Sequence, residues 1–233
     1  MRIAILSDIH GNLEALVTAL EIVDEHSADI IVCLGDIVGY GANPNECIDL
    51  VRKRCSAVVL GNHDAAALDL GVADSFNATA RVSAVWTSKV LTDENREFLK
   101  SLPMTYSAEG AFFVHSSPVD PEEWNYVLSA YDAREAFRHF REEICFIGHS
   151  HIPGVFAEKS GTQQVRRGER FLVNVGSVGQ PRDGDGNLSL GIFDSVLWSY
   201  ENIRAPYEVE TTADKIRKAG LPPVLAERLK KGM

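Results

Sequence analysis

Apolar and polar positions fall in blocks along this chain. A short apolar run at residues 3–6 turns polar at Ser7-Asp8. Leu13, Leu16, Val17, Leu20 and Val23 then recur at i, i+3, i+4 and i+7 spacing, which predicts a helix over residues 12–26 with one buried face. Asn12 is suited to cap its start. A continuous apolar run at 30–34 ends at Gly35-Asp36. Asn43-Pro44 opens a second helix with proline in its first turn. A third apolar run, at 57–60, ends at Gly61-Asn62-His63-Asp64. Strand, helix, strand, helix, strand in this order predicts βαβ units and a largely parallel sheet.

Residues 64–102 read as helical, in stretches at 65–70, 82–90 and 94–102. They are either plain packing or a helical cap over a site. The second half is richer in strands. Apolar runs at 111–114 and 144–147 lead into His115 and into Gly148-His149-Ser150-His151, with a helix expected over 131–141 between them. Further strand-like runs follow at 155–158, 171–175, 188–193 and 197–203. The charged segment 211–233, with Pro222-Pro223, predicts one or two surface helices.

The length of 233 residues fits one α/β domain, and no repeat or composition break marks a second. The net charge of −10 argues against a protein that grips duplex nucleic acid through many phosphate contacts. It leaves small anionic substrates open, because a bound metal dominates its local field. None of the four cysteines forms a CxxC pair, and Cys33 and Cys145 lie inside apolar runs, so no disulfide framework is expected. The first apolar run is too short for a signal peptide, and no run is long enough to cross a membrane. The expectation is a soluble, cytoplasmic protein.

The chemistry follows the apolar runs. Asp8-Ile9-His10, Gly35-Asp36, Gly61-Asn62-His63-Asp64, His115 and Gly148-His149-Ser150-His151 each stand just after one. In open α/β sheets, sites form beyond the carboxyl ends of the strands. If the backbone stays extended, residues i and i+2 share a direction, so Asp8 with His10, and His149 with His151, face one point. The glycines before Asp36, Asn62 and His149 suit tight turns or close backbone approach. Carboxylate, imidazole and amide donors without cysteine suit Mn, Fe or Zn. A shared carboxylate can bridge two ions about 3.5–4 Å apart, the spacing of two-metal hydrolytic sites. Five of the seven histidines fall in these motifs. His26 and His139 stand in polar helical stretches and read as surface residues.

The ordered pattern D-x-H, G-D, G-N-H-[D/E], H, G-H-x-H resembles that of the calcineurin-like metallophosphoesterase superfamily. Its five elements run from residue 8 to residue 151, about two-thirds of the chain. The resemblance implies a four-layer α/β/β/α sandwich with a dinuclear metal site at the sheet edge. It implies that Asp8, His10, Asp36 and His151 hold one ion, that Asp36 bridges, and that Asn62, His115 and His149 complete the second. His63 would bind no metal and would stabilise charge or protonate the leaving oxygen, with a metal-bridging hydroxide as the attacking group. Protein phosphatases and symmetrical diadenosine tetraphosphate hydrolases of the superfamily carry V-D-R-G after G-D and an arginine after G-N-H-[D/E]. Here Asp36-Ile37-Val38-Gly39-Tyr40-Gly41 and Asp64-Ala65-Ala66 lack both arginines. The chain is closer to the compact bacterial and archaeal phosphodiesterase-like branch, which Gly39–Pro44 and Val175–Arg182 also resemble.

Other residues keep two readings. Asp64 either orients His63 or caps the helix after it. Arg182, in a turn-rich stretch, either grips a phosphate as a bidentate donor or is a solvated loop residue. Tyr40 either stacks on a base or packs in its loop. The expected activity is hydrolysis of a small phosphorylated substrate, phosphodiester or phosphomonoester. A nucleotide-specific hydrolase, such as an asymmetrical dinucleoside polyphosphatase, is the alternative. A non-catalytic scaffold on the same fold is the alternative of another class.

Overall fold

The computed structural model describes residues 1–233. Ten strands form two five-stranded sheets that share no strand pairing. The first sheet has the order β10-β9-β1-β2-β3, from β1 (Arg2–Leu6), β2 (Ile30–Cys33), β3 (Ala57–Val58), β9 (Leu188–Asp194) and β10 (Ser199–Ala205). The second has the order β4-β5-β6-β8-β7, from β4 (Thr105–Ala108), β5 (Ala111–Val114), β6 (Ile144–Ile147), β7 (Gly154–Ala157) and β8 (Phe171–Asn174).

The period-two pattern of the strands builds the layers. On β1, Ile3 and Ile5 point between the sheets, where they join Phe113, Phe146, Phe171 and Phe193. Ala4 and Leu6 point the other way, against Leu16 and Leu20 of α1 (Leu13–Glu25) and Ile48 and Val51 of α2 (Pro44–Arg54). On the far side of the second sheet, Cys145, Ile147 and Leu172 pack on Ala133 and Ala136 of α6 (Ala130–Ala136). Helix, sheet, sheet, helix is the four-layer sandwich. Asn12 caps α1, accepting from the Ala15 amide at 3.1 Å.

The sheets are less parallel than the sequence predicted. The triplets β1-β2-β3 and β5-β6-β8 are parallel, but β9, β10, β4 and β7 add antiparallel partners at the edges. Strand β4 was not anticipated. Its signal is Glu109-Gly110, a two-residue turn with φ of 53° and 77° that closes the β4–β5 hairpin. The helix expected over 131–141 ends at Ala136, because the Arg170 guanidinium takes the carbonyls of Phe137 and Phe140 and turns the chain. The last strand starts at Ser199 instead of 197, since Asp194 Oδ1 accepts the Val196 and Leu197 amides in the preceding turn.

Residues 64–102 form α3 (Asn62–Leu68), a 3₁₀ turn (Val72–Ser75), α4 (Ala78–Val90) and α5 (Asp93–Lys100). They pack on the first sheet through Ala67, Leu91 and Leu99, and they also reach the site through Phe76, Asn77 and Ala80. The C-terminal helices α7 (Val209–Lys218) and α8 (Pro223–Leu229) are amphipathic instead of purely superficial. Ala213, Ile216, Leu225 and Leu229 are buried in one cluster with Tyr40. The four cysteines are free, and no helix is long and apolar enough to cross a membrane.

Candidate metal centre

The parallel strands of both sheets end at one edge, and the histidine and aspartate motifs stand there. Asp8 and His10 follow β1, Asp36 follows β2, and Asn62 and His63 open α3 after β3. From the second sheet, His115 follows β5, and His149 and His151 follow β6. All are buried. His26 and His139 lie apart from them, one on the Ile22 carbonyl and one beside Glu135.

The backbone at these residues differs from the extended geometry expected from the sequence. Asp8, His10, Asp36, His149 and His151 have φ of 53°, 52°, 51°, 64° and 61°, in the left-handed region. Side-chain-bearing residues seldom adopt it, at a cost of about 1–3 kcal/mol each. Each residue sits where the chain swings out of its strand, and the left-handed turn aims its side chain back over the sheet edge. Backbone bonds between loops hold the turns. The Asp8 amide donates to Gly35 O at 3.1 Å, the His10 amide to Asp36 O at 2.9 Å, and the Gly179 amide to Asp8 O at 3.0 Å. Two glycines make room for this approach. A Cβ on Gly61 would collide with the Asp36 backbone and carboxylate, and one on Gly148 with Ser7 and the Asp8 carboxylate.

The donor atoms define what the edge can hold. Nδ1 of His10 faces Val38 O at 3.0 Å, Nδ1 of His115 faces Leu34 O at 2.8 Å, and Nδ1 of His151 faces Gln180 O at 2.5 Å. A carbonyl only accepts, so each Nδ1 carries a proton and, in the neutral ring, each Nε2 presents a lone pair. Yet Nε2 of His10 and Nε2 of His151 are 3.1 Å apart, and Asp8 Oδ1 is 3.2 Å from the latter. Nε2 of His115 faces Asn62 Oδ1 at 3.1 Å, His149 Nδ1 at 3.2 Å and Asp36 Oδ2 at 3.4 Å. Asp36 Oδ2 is also 3.6 Å from His10 Nε2, so it lies between the two groups. Asp8 Oδ1 and Asp36 Oδ2 are buried without a hydrogen-bond partner. Converging lone pairs and orphaned carboxylate oxygens repel one another unless a cation lies among them. Carbonyls fixing the outer ring nitrogens are the usual support of metal-binding histidines. The donor set therefore fits metal ions. It forms three overlapping groups: Asp8, His10 and His151 on one side, Asp36, His115 and His149 on the other, and His10, Asp36 and His63 between them.

Protonation equilibria carry the same signature. Burial opposes charge on His115, but the Asp36 carboxylate beside it, with Asp8 and the Leu34 carbonyl, outweighs burial and raises the pKa to about 9. Burial, followed by the His115 charge, lowers His149 to about 3.

His63 also sits at this edge. Its amide donates to Asp36 Oδ1 at 2.7 Å, and its ring packs between Tyr40 (4.4 Å) and Phe76 (4.6 Å). Nδ1 is buried against Gly39 with no partner, which turns Nε2 toward the cleft that His63 lines. Burial lowers its pKa to about 4, helped by the Arg182 charge. Asp64 touches the Val38 and Gly61 amides and not the His63 ring, so of its two readings the cap is the one seen. Burial, then the Asp36 charge, raises its pKa to about 7. Arg182 is half-buried, with Nη2 3.3 Å from the Tyr40 hydroxyl and 3.4 Å from Gln180 Oε1.

The cleft over the edge measures ≈ 280 Å³ and is walled by Tyr40, Phe76, Trp124 and Tyr126 beside Asn62, His63 and His149. Tyr126 stacks on His149 at 4.0 Å. The sequence reading missed Phe76, Trp124 and Tyr126. They lie in irregular segments, and the only available signal was apolar bulk inside otherwise polar loops.

The model of the calcineurin-like phosphoesterase superfamily domain matches residues 1–195. An uncharacterized protein of Methanocaldococcus jannaschii is 40% identical over 237 residues, covering 97% of this chain and 96% of its own. The crystal structure of a metallophosphoesterase from Sphaerobacter thermophilus aligns with a TM-score of 0.88 at 36% identity, over 100% of this chain and 99% of that one. Phosphodiesterase YfcE of Escherichia coli is 27% identical over 210 residues, 85% of this chain and 90% of its own. Fold, motif order and relatives agree along most of the sequence: the chain belongs to the calcineurin-like phosphoesterase superfamily and is a metallophosphoesterase, a hydrolase of phosphoric esters.

Proposed function

We propose that the protein hydrolyses small phosphodiesters or phosphomonoesters at a centre of two first-row ions, Mn, Fe or Zn. The observation that carries this reading is the pair of donor groups meeting at Asp36 Oδ2, which is buried without a hydrogen-bond partner. Asp8, His10, Asp36 and His151 would hold one ion, and Asp36, Asn62, His115 and His149 the other. When bound, such ions supply Lewis acidity toward phosphoryl oxygens and a water nucleophile at neutral pH.

The chain's own groups do the rest. The carbonyls of Val38, Leu34 and Gln180 lock three imidazoles in the ligating tautomer. His63 Nε2, open to the cleft, gives a proton or a hydrogen bond to the departing oxygen. Arg182 exchanges its two long hydrogen bonds for a phosphate oxygen. Elemental analysis of the purified protein, paired with hydrolysis of p-nitrophenyl phosphate and its bis ester, tests the reading. Two ions per chain and chelator-sensitive turnover are expected. A protein that carries two ions and hydrolyses no phosphate ester overturns it and favours a scaffold.

The aromatic walls of the cleft favour one second reading, a nucleotide-specific hydrolase in which a base stacks on Tyr126 or Trp124. A panel of nucleotides assayed with added Mn²⁺ separates it from a general phosphodiesterase.

A further inference from the structure

Residues 196–233 lie beyond the matched family domain, yet their last helix reaches the site. Arg228 of α8 lays its guanidinium over the Tyr40 ring, 4.3 Å from the centroid. Arg182 approaches the same ring at 5.8 Å and bonds its hydroxyl. Tyr40 in turn packs, with its ring tilted, against His10 at 4.6 Å and His63 at 4.4 Å. Two guanidinium groups thus stand one ring away from the metal edge.

Neither guanidinium is paired with a carboxylate. Nε and Nη2 of Arg228, the two atoms that form its bidentate edge, are buried without a hydrogen-bond partner. The groups that act on it are the Tyr40 hydroxyl and the like charge of Arg182, with no carboxylate among them. This occurs in a chain with 33 acidic and 23 basic residues, where an acidic partner would be easy to supply. Arg182 is held by neutral groups alone, by its long bonds at 3.3 and 3.4 Å and by the neighbouring Tyr126 hydroxyl. A shielded positive charge without a partner is costly, and an arriving anion removes that cost.

We propose that Arg182 and Arg228 form an anion subsite beside the metal centre, selecting substrates with a second phosphoryl group, as in a phosphoanhydride, over esters of a single phosphate. Arg182 meets the second group directly. Arg228 acts as a positioning residue, through its charge and its hold on Tyr40. The proposal rests on the phosphoesterase reading of the centre and narrows its substrate class.

Calorimetric titration of the metal-loaded protein with inorganic phosphate and with methylenediphosphonate tests it without turnover, metal content being checked after each titration. The diphosphonate is expected to bind at least about tenfold tighter than phosphate, a difference near 1.4 kcal/mol. Arg228→Gln should erase that preference, while Arg228→Lys, which keeps the charge, should retain most of it. Should the glutamine variant fail to fold, the wild-type Arg228 Nε–H resonance, assigned through Arg228→Lys, serves instead. It should move with diphosphonate and stay fixed with phosphate. Equal affinities in the wild type, an unchanged ratio in folded Arg228→Gln, or a resonance that does not respond overturns the subsite. Normal ester hydrolysis alongside any of these results leaves the parent reading intact. Selective diphosphonate binding without any hydrolysis overturns the parent reading alone.

Discussion

Nε2 of His10 and Nε2 of His151 face each other at 3.1 Å, with both Nδ1 protons committed to backbone carbonyls. Two lone pairs at that distance form no hydrogen bond. The pair is bound to a cation or is forced to take up a proton, and this choice makes the centre testable before any substrate is known.

Metal loading should release protons. In the ion-free chain His115 titrates near 9, so at pH 7 it is protonated, and it must lose that proton to ligate. Affinity for metal should therefore rise with pH, by up to about tenfold per unit, until pH passes about 9, where the gain stops. Calorimetry in buffers of different ionisation enthalpy should report about one proton released per chain at pH 7. A proton count of zero would contradict this account of His115.

Asp36→Asn keeps the side-chain shape but removes the charge that both donor groups share. The variant is expected to fold and to retain no more than one ion per chain by elemental analysis. Two ions in the variant would remove the bridging role.

His63→Ala separates catalysis from assembly. Turnover of p-nitrophenyl esters should fall by about 10²–10³-fold, in the range of general acid catalysis, while metal content holds. Loss of metal would make His63 a ligand or a support of one.

Gly148→Ala probes the close approach of the two sheets. The added methyl meets Ser7 and the Asp8 carboxylate, an overpacking that costs about 1–3 kcal/mol. The melting temperature should drop by roughly 3–10 °C, with weaker metal retention. Unchanged thermal unfolding and metal content would show that the loops have slack at this point.

The donor residues were legible because each follows an apolar run, and strand ends gather at one edge in this class of fold. The four-layer arrangement came from resemblance, and the alternation of Ile3 and Ile5 against Ala4 and Leu6 shows how one strand serves two cores. Local turns were not legible. Spacing alone suggested an extended backbone at Asp8-Ile9-His10, whereas loop-to-loop hydrogen bonds impose left-handed turns that no propensity encodes. Arg228 was invisible for a related reason. Nothing near it in sequence hints at Tyr40, and only the docking of α8 brings them together.

Asp8, His10, Asp36 and Asn62 belong to one sheet, and His115, His149 and His151 to the other, while the sheets exchange no strand hydrogen bonds. Ions seated among these residues would fasten two leaves of a book along their open margin. Metal supply would then govern stiffness as well as chemistry. A chain stripped of its ions would loosen first along that margin, and amide exchange should rise in the loops after β1 and β6 before it rises in either sheet.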